Sequence, residues 1–183
     1  MKLTISEPTI HESDTPSPVQ SDPPSRRQLL HTAWTELLER FDRHFPLEWF
    51  GHLTFADAVH PEQANRRFNR WWRDANIGIF GKRYREHGEG AYCFRASEYQ
   101  TRGVLHYHIL AGGGVRALRR LSFMDLWASE NGFSRIYSYD HKRGAIRYTT
   151  KYAVKGGEID IIASPDVLDQ VRGGLVQLPL SVN

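Results

Sequence analysis

Leu29, Leu30, Ala33, Trp34, Leu37, Leu38, Phe41 and Phe45 recur three and four residues apart and stop before Pro46. That spacing predicts an amphipathic helix, with Ser25 as its cap. Trp49–Asp57 (WFGHLTFAD) is aromatic and apolar and predicts a strand. His60-Pro61 opens a second helix, since proline is permitted at a first helical position. Its inner face is Ala64, Phe68, Trp71, Trp72, Ala75 and Ile79. The segment KRYREHGEG reads as a loop. Ala91–Gln100 and Val104–Ala111 then read as two strands around a Thr101-Arg102-Gly103 turn, which makes a hairpin. After Gly112–Gly114, Ser122–Asn131 carries Phe123, Leu126 and Trp127 as a third helix. It starts as early as Val115, with Gly132 as its stop. Phe133–Asp140 predicts a fourth strand, Ala145–Lys155 a fourth helix, and IDIIA a short fifth strand. Strands separated in this way by helices predict an α+β fold, a central antiparallel sheet of four to five strands flanked by helices.

The fourth helix departs from the usual pattern. In RYTTKYAVK, the residues at i, i+3, i+4 and i+7 are Tyr148, Lys151, Tyr152 and Lys155. Those positions share one face, which a helix normally keeps apolar. Two phenols and two ammonium groups stand there instead.

A second cluster lies in the hairpin. In VLHYHIL, His106 and His108 point to one face of the strand, and Leu105, Tyr107 and Ile109 to the other. A turn centred near Arg102 sets Glu98 opposite His106, on the same sheet face. Two imidazoles and a carboxylate make a three-ligand site for Mg²⁺, Mn²⁺ or Zn²⁺ with positions left open. Such an ion makes a phosphorus more electrophilic. Lysines beside a phenolate stabilise its charge. A tyrosine that attacks a phosphodiester leaves a phosphotyrosine link and a free hydroxyl end, so the strand can later be rejoined.

These residues resemble the HUH endonucleases. The LHYHIL strand followed by Tyr-x-x-x-Tyr-x-x-Lys is most similar to the two-tyrosine rolling-circle replication initiators (Rep) of small phages and plasmids. It is also similar to Helitron-type transposases. Leu53–Phe55 (LTF) would be the first motif, and the likeness runs from about Trp49 to Lys155. The resemblance implies a Rep-like palm, related to ferredoxin and RRM sheets. It implies metal ligands Glu98, His106 and His108, nucleophiles Tyr148 and Tyr152, and assisting lysines Lys151 and Lys155. It further implies a Mg²⁺- or Mn²⁺-dependent DNA nickase and joining enzyme. One tyrosine nicks at an origin and holds the 5′ end, the 3′ hydroxyl primes synthesis, and the second tyrosine closes the round. A transposase or relaxase with the same chemistry, or a non-catalytic nucleic-acid-binding module, are the competing expectations.

Charge supports a polyanionic partner. The net charge is +3 over 183 residues. Residues 1–25 carry one lysine and four acids, and 156–183 one arginine and four acids, which leaves the middle strongly basic. Arg66, Arg67, Arg70 and Arg73, with Trp71 or Trp72, and Lys82, Arg83 and Arg85 are the expected contacts to single-stranded or hairpin DNA. Arg116, Arg119 and Arg120 form a second basic group. His52 faces the site or packs, and His87 and His141 read as loop residues. No GxxxxGK[ST] motif occurs, so unwinding falls to a host helicase, with a host polymerase for synthesis.

The acidic, Pro- and Ser-rich stretch 1–25 cannot bury enough apolar area to order and reads as a disordered tail. Residues 26–160 form the expected endonuclease domain, and 161–183 a C-terminal strap or tail. One cysteine, Cys93, excludes a disulfide framework. No apolar run approaches a membrane span and no signal-peptide core is present, so the expected setting is cytoplasmic.

Overall fold

A computed structural model describes residues 24–154 and 159–171. Helix α1 (Arg26–His44) begins at Ser25 with a reciprocal capping box: Gln28 N–H donates to Ser25 Oγ, and Ser25 N–H to Gln28 Oε1. It ends before Pro46, which cannot continue it. Strand β1 (Leu47–Thr54) follows, then α2 (Pro61–Phe80), which starts on Pro61 and stops at Gly81. Strands β2 (Tyr92–Tyr99) and β3 (Leu105–Gly112) form the expected hairpin. A 3-10 turn at Val115–Ala117 precedes α3 (Arg120–Glu130) and β4 (Ser134–Ser138). The third helix is therefore broken near Leu118 rather than continuous from Val115. A second 3-10 turn, His141–Arg143, leads into α4 (Ala145–Ala153). Strand β5 (Ile159–Ile162) and a short helix α5 (Pro165–Gln170) close the described chain.

The five strands are antiparallel in the order β4-β1-β3-β2-β5. Alternation along each strand divides the side chains between two cores. On one face Trp49, Leu53, Tyr107, Ile109, Cys93 and Ile136 meet Phe68, Trp71 and Trp72 of α2 and Trp127 of α3. On the other face Phe94 and Leu110 meet Leu38 and Phe41 of α1 and Ile146 of α4. Val167 and Val171, from the segment expected as a strap, pack into this second core. Each such side chain contributes roughly 1.5–3 kcal/mol on burial, so both faces are held by several large residues. A register irregularity between Leu47 and Trp49 sends Leu47 to the second core and Trp49 to the first.

Gly132 closes the join between α3 and β4. Its φ is +140, and a Cβ there would sit 2.5 Å from Ala56 N and 2.6 Å from Thr54 O. Only glycine accommodates that approach. It lets Ala56 N–H reach Asn131 O and Thr54 N–H reach Phe133 O, which ties the end of β1 to β4.

Candidate active site

Antiparallel register builds the site row by row. Glu98, His106 and Thr54 form one cross-strand row, and Ala96, His108, His52 and Arg135 the next. A third row is Phe94, Leu110, Phe50 and Tyr137. All project from the face covered by α1 and α4. The hairpin register expected between Glu98 and His106 is present.

Three imidazoles converge there. His52, His106 and His108 bring one nitrogen each within 4.8 Å of one another. Ring centroids lie 4.5 Å apart for His106 and His108 and 5.0 Å apart for His52 and His108. Glu98 Oε2 stands 3.2 Å from His108 Nε2. Thr54 Oγ1 lies 2.6 Å from His106 Nδ1, a buried contact that leaves His106 Nε2 as its second ring nitrogen. Burial, then the neighbouring His52, lowers the His106 pKa from 6.5 to about 4. Burial also lowers that of His52. Both rings are thus neutral at pH 7 with lone pairs to offer, as a metal ligand must be. Nitrogens and a carboxylate oxygen at these separations fit the donor set of a divalent transition metal.

Helix α4 brings the phenols over this cluster. Its Thr149 and Thr150 are fully buried. Thr150 Oγ1 lies 3.0 Å from Thr35 Oγ1 of α1, so two small side chains let the helices approach closely. The Tyr148–Tyr152 stripe then faces the sheet. Tyr152 stacks on His108 with centroids 3.8 Å apart and planes within 11°. Tyr148 lies 5.3 Å from His108, 5.7 Å from His52 and 5.1 Å from Tyr152, ring to ring. The two phenols differ in access: Tyr148 is 41% exposed and Tyr152 8%. Burial raises the Tyr152 pKa, and its hydrogen bond with Tyr148 raises it further.

Other expected site residues sit elsewhere. Lys151 is exposed and lines a cleft of about 330 Å³ with Arg27, Gln28 and His31 of α1, rather than facing the imidazoles. Lys155 lies outside the described residues. Arg66, Arg67, Arg70 and Arg73 are on α2, whose core residues cover the opposite sheet face, so the fold does not bring them to the phenols. Arg66 pairs with Glu62 at 3.8 Å and Arg73 with Asp74 at 3.1 Å. Lys82 and Arg83 follow that helix and are exposed. Trp71 and Trp72 are 2% and 5% exposed, so neither is a stacking platform. The cations on the phenol side are Arg135 of β4, Arg143 and Arg147 around α4, and Arg27 of α1.

The sequence pattern leaves the side of His52 open and does not single out Thr54 or Tyr137 as site residues. Strand parity on β1 groups His52 with Thr54, but only the β1–β3 register sets it against His108.

An antiparallel α+β sheet that presents clustered imidazoles to a tyrosine-bearing helix defines the class of protein, one that sets candidate metal ligands and phenols together on one sheet face. Residues 48–157, more than half of the chain, match the family model for replication-associated protein ORF2 and gene 2 protein, and the chain belongs to that family. It is a Rep-like, replication-associated protein. No curated protein and no solved structure matches the chain. Among the described residues, no helix is long and apolar enough to cross a membrane.

Proposed function

We propose that this protein is a two-tyrosine HUH endonuclease that nicks and rejoins single-stranded DNA to start rolling-circle replication. The observation that carries the reading is the stack of Tyr152 on His108, with Tyr148 beside it over three imidazoles. A surface helix with tyrosines merely covering a core would not need those histidines beneath it.

His52, His106, His108 and Glu98 would hold a divalent ion, whose chemistry there is to polarise a phosphate oxygen. Three nitrogen donors favour Mn²⁺ over Mg²⁺, which prefers an all-oxygen shell. Tyr148 is the first nucleophile because its ring is open to solvent and Tyr152 is buried. Its Oη attacks phosphorus, the bond from phosphorus to the 3′ oxygen breaks, and the phenolic proton is lost. The products are a 5′-phosphotyrosine and a 3′ hydroxyl. Tyr152, kept protonated by burial, donates its hydrogen bond to Tyr148 and acts as nucleophile only after that link forms. Arg147 and Lys151, one and three residues from Tyr148 on an exposed helix flank, hold the strand by its phosphates.

Labelled single-stranded DNA carrying its own origin, incubated with protein and Mn²⁺, should give a covalent adduct. The adduct should vanish with EDTA and in Tyr148→Phe, while Tyr152→Phe still forms it. Binding without an adduct in the wild-type protein would overturn the nuclease reading.

A further inference from the structure

Beside Tyr148 the sheet edge opens into a cleft of about 360 Å³, lined by Phe50, His52, Tyr137, Asp140, Arg143 and Tyr148. This lies within the size range of small-ligand pockets. Its walls are aromatic. Phe50 and Tyr137 lie with centroids 6.1 Å apart and planes within 21°, and Tyr148 meets Phe50 edge-on at 5.9 Å. Tyr137 is 39% exposed, which is unusual for so large a ring on a sheet face and leaves a stacking surface open. The rim is polar and of both signs. The turn between β4 and α4 supplies Asp140, whose Oδ1 accepts from Lys142 N at 3.0 Å, and Arg143, whose N–H donates to Asp140 O. Gly144, at φ +69, reverses the chain so that α4 returns Tyr148 to the same cleft. Among the described residues, neither Asp140 nor Arg143 is joined to an oppositely charged side chain.

We propose that this cleft is a base subsite, which takes one unpaired guanine of the strand whose phosphate meets Tyr148. The proposal rests on the nuclease reading for its location and on the cleft alone for its chemistry. A nucleotide with its phosphate at Tyr148 has its base within reach, because Tyr148 is a wall of both places. Aromatic faces accept any base by stacking. The two charged groups discriminate. A carboxylate accepts two adjacent N–H groups, and a guanidinium fork donates to two adjacent acceptors. Guanine alone presents both, N1–H with N2–H₂ on one edge and O6 with N7 on the next. Arginine to O6 and N7 is also the commonest base-specific contact.

The test uses the full chain and short oligothymidine, either unaltered or with one central dG, dA, dC or deoxyinosine. Binding is followed by fluorescence anisotropy in EDTA, where no strand is cut. One dG should tighten binding roughly five- to hundredfold over oligothymidine, the range of one good bidentate contact. Deoxyinosine, which lacks the N2 amine, should fall between. Asp140→Asn keeps the turn's cap and Arg143→Lys keeps the charge, yet each should bring the dG preference close to one. Tyr137→Ala, with folding checked by circular dichroism, should weaken binding of every oligonucleotide about fivefold or more. A wild-type preference near one, or a preference that survives both rim variants, overturns the subsite. The nuclease reading is judged separately by the covalent adduct. An adduct without base preference removes the subsite alone, and base preference without an adduct removes the nickase alone.

Discussion

Thr54→Val removes one oxygen from beneath the metal-binding cluster and almost nothing else. Thr54 is 5% exposed, and its Oγ1 lies 2.6 Å from His106 Nδ1. Valine keeps the volume and the branched Cβ that suit a strand. The remaining hydrogen bonds of Thr54 are made by its backbone, N–H to Phe133 O at 2.8 Å and C=O from Trp127 Nε1 at 3.3 Å. They survive the change. What disappears is the partner that fixes the ring and the tautomer of His106. With a proton on Nδ1 donated to Thr54, Nε2 keeps its lone pair for a ligand. Leaving the buried Nδ1 without a partner costs roughly 1–3 kcal/mol. Loss of an outer partner of a metal-bound histidine weakens metal binding about 10–100-fold, or about 1.4–2.7 kcal/mol. Calorimetric titration of Mn²⁺ into the two proteins reads this directly. Thr54→Ser, which retains the hydroxyl, should bind close to wild type. A folded Thr54→Val protein with Mn²⁺ affinity within about twofold of wild type would refute the orienting role and the tautomer derived from it.

His52→Ala should lower Mn²⁺ affinity at least about tenfold in the same titration, since it deletes one of three converging nitrogens. Unchanged affinity would return the site to Glu98, His106 and His108. Single-strand binding should depend on the phenol-side cations. Arg147→Ala with Lys151→Ala should reduce the slope of log affinity against log salt by about 0.7 for each phosphate no longer neutralised. Joint replacement of Arg66, Arg67, Arg70 and Arg73 by alanine should leave that slope unaltered, and a large drop would mean that the strand crosses α2 instead. Metal-free protein should lose stability as pH falls from 6.5 toward 4. The His106 pKa is about 4 when folded against 6.5 for a free histidine, so in that window the unfolded chain binds the extra proton. Chemical denaturation at pH 7 and at pH 4.5 checks this, and a His106→Gln protein should show a smaller difference. Equal pH sensitivity in both proteins would show that His106 is not the group responsible.

Elements whose pattern is local were legible along the chain. The Ser25 cap, the apolar face of α2 and the 92–112 hairpin depend on residues a few positions apart, and they appear where periodicity puts them. Glu98 could be set against His106 because a hairpin register is also local. The helix 145–153 and its tyrosine stripe followed from the same periodicity. Packing between distant segments settled the rest. His52 meets His108 only because β1 pairs with β3 across the whole of α2 and β2, and Arg135 and Tyr137 join the same face through the β1–β4 pairing. Which side of the sheet each helix covers is likewise a matter of tertiary packing. It put the α2 arginines behind the site and buried both tryptophans expected near DNA. It also exposed Tyr148 and buried Tyr152, two identical residues one helical turn apart, because only one of them lies under the close contact between α1 and α4 and over His108. Repeating side-chain patterns encode elements because backbone geometry is periodic. Contacts between elements far apart in the chain carry no such period, so they appear only once the sheet has closed.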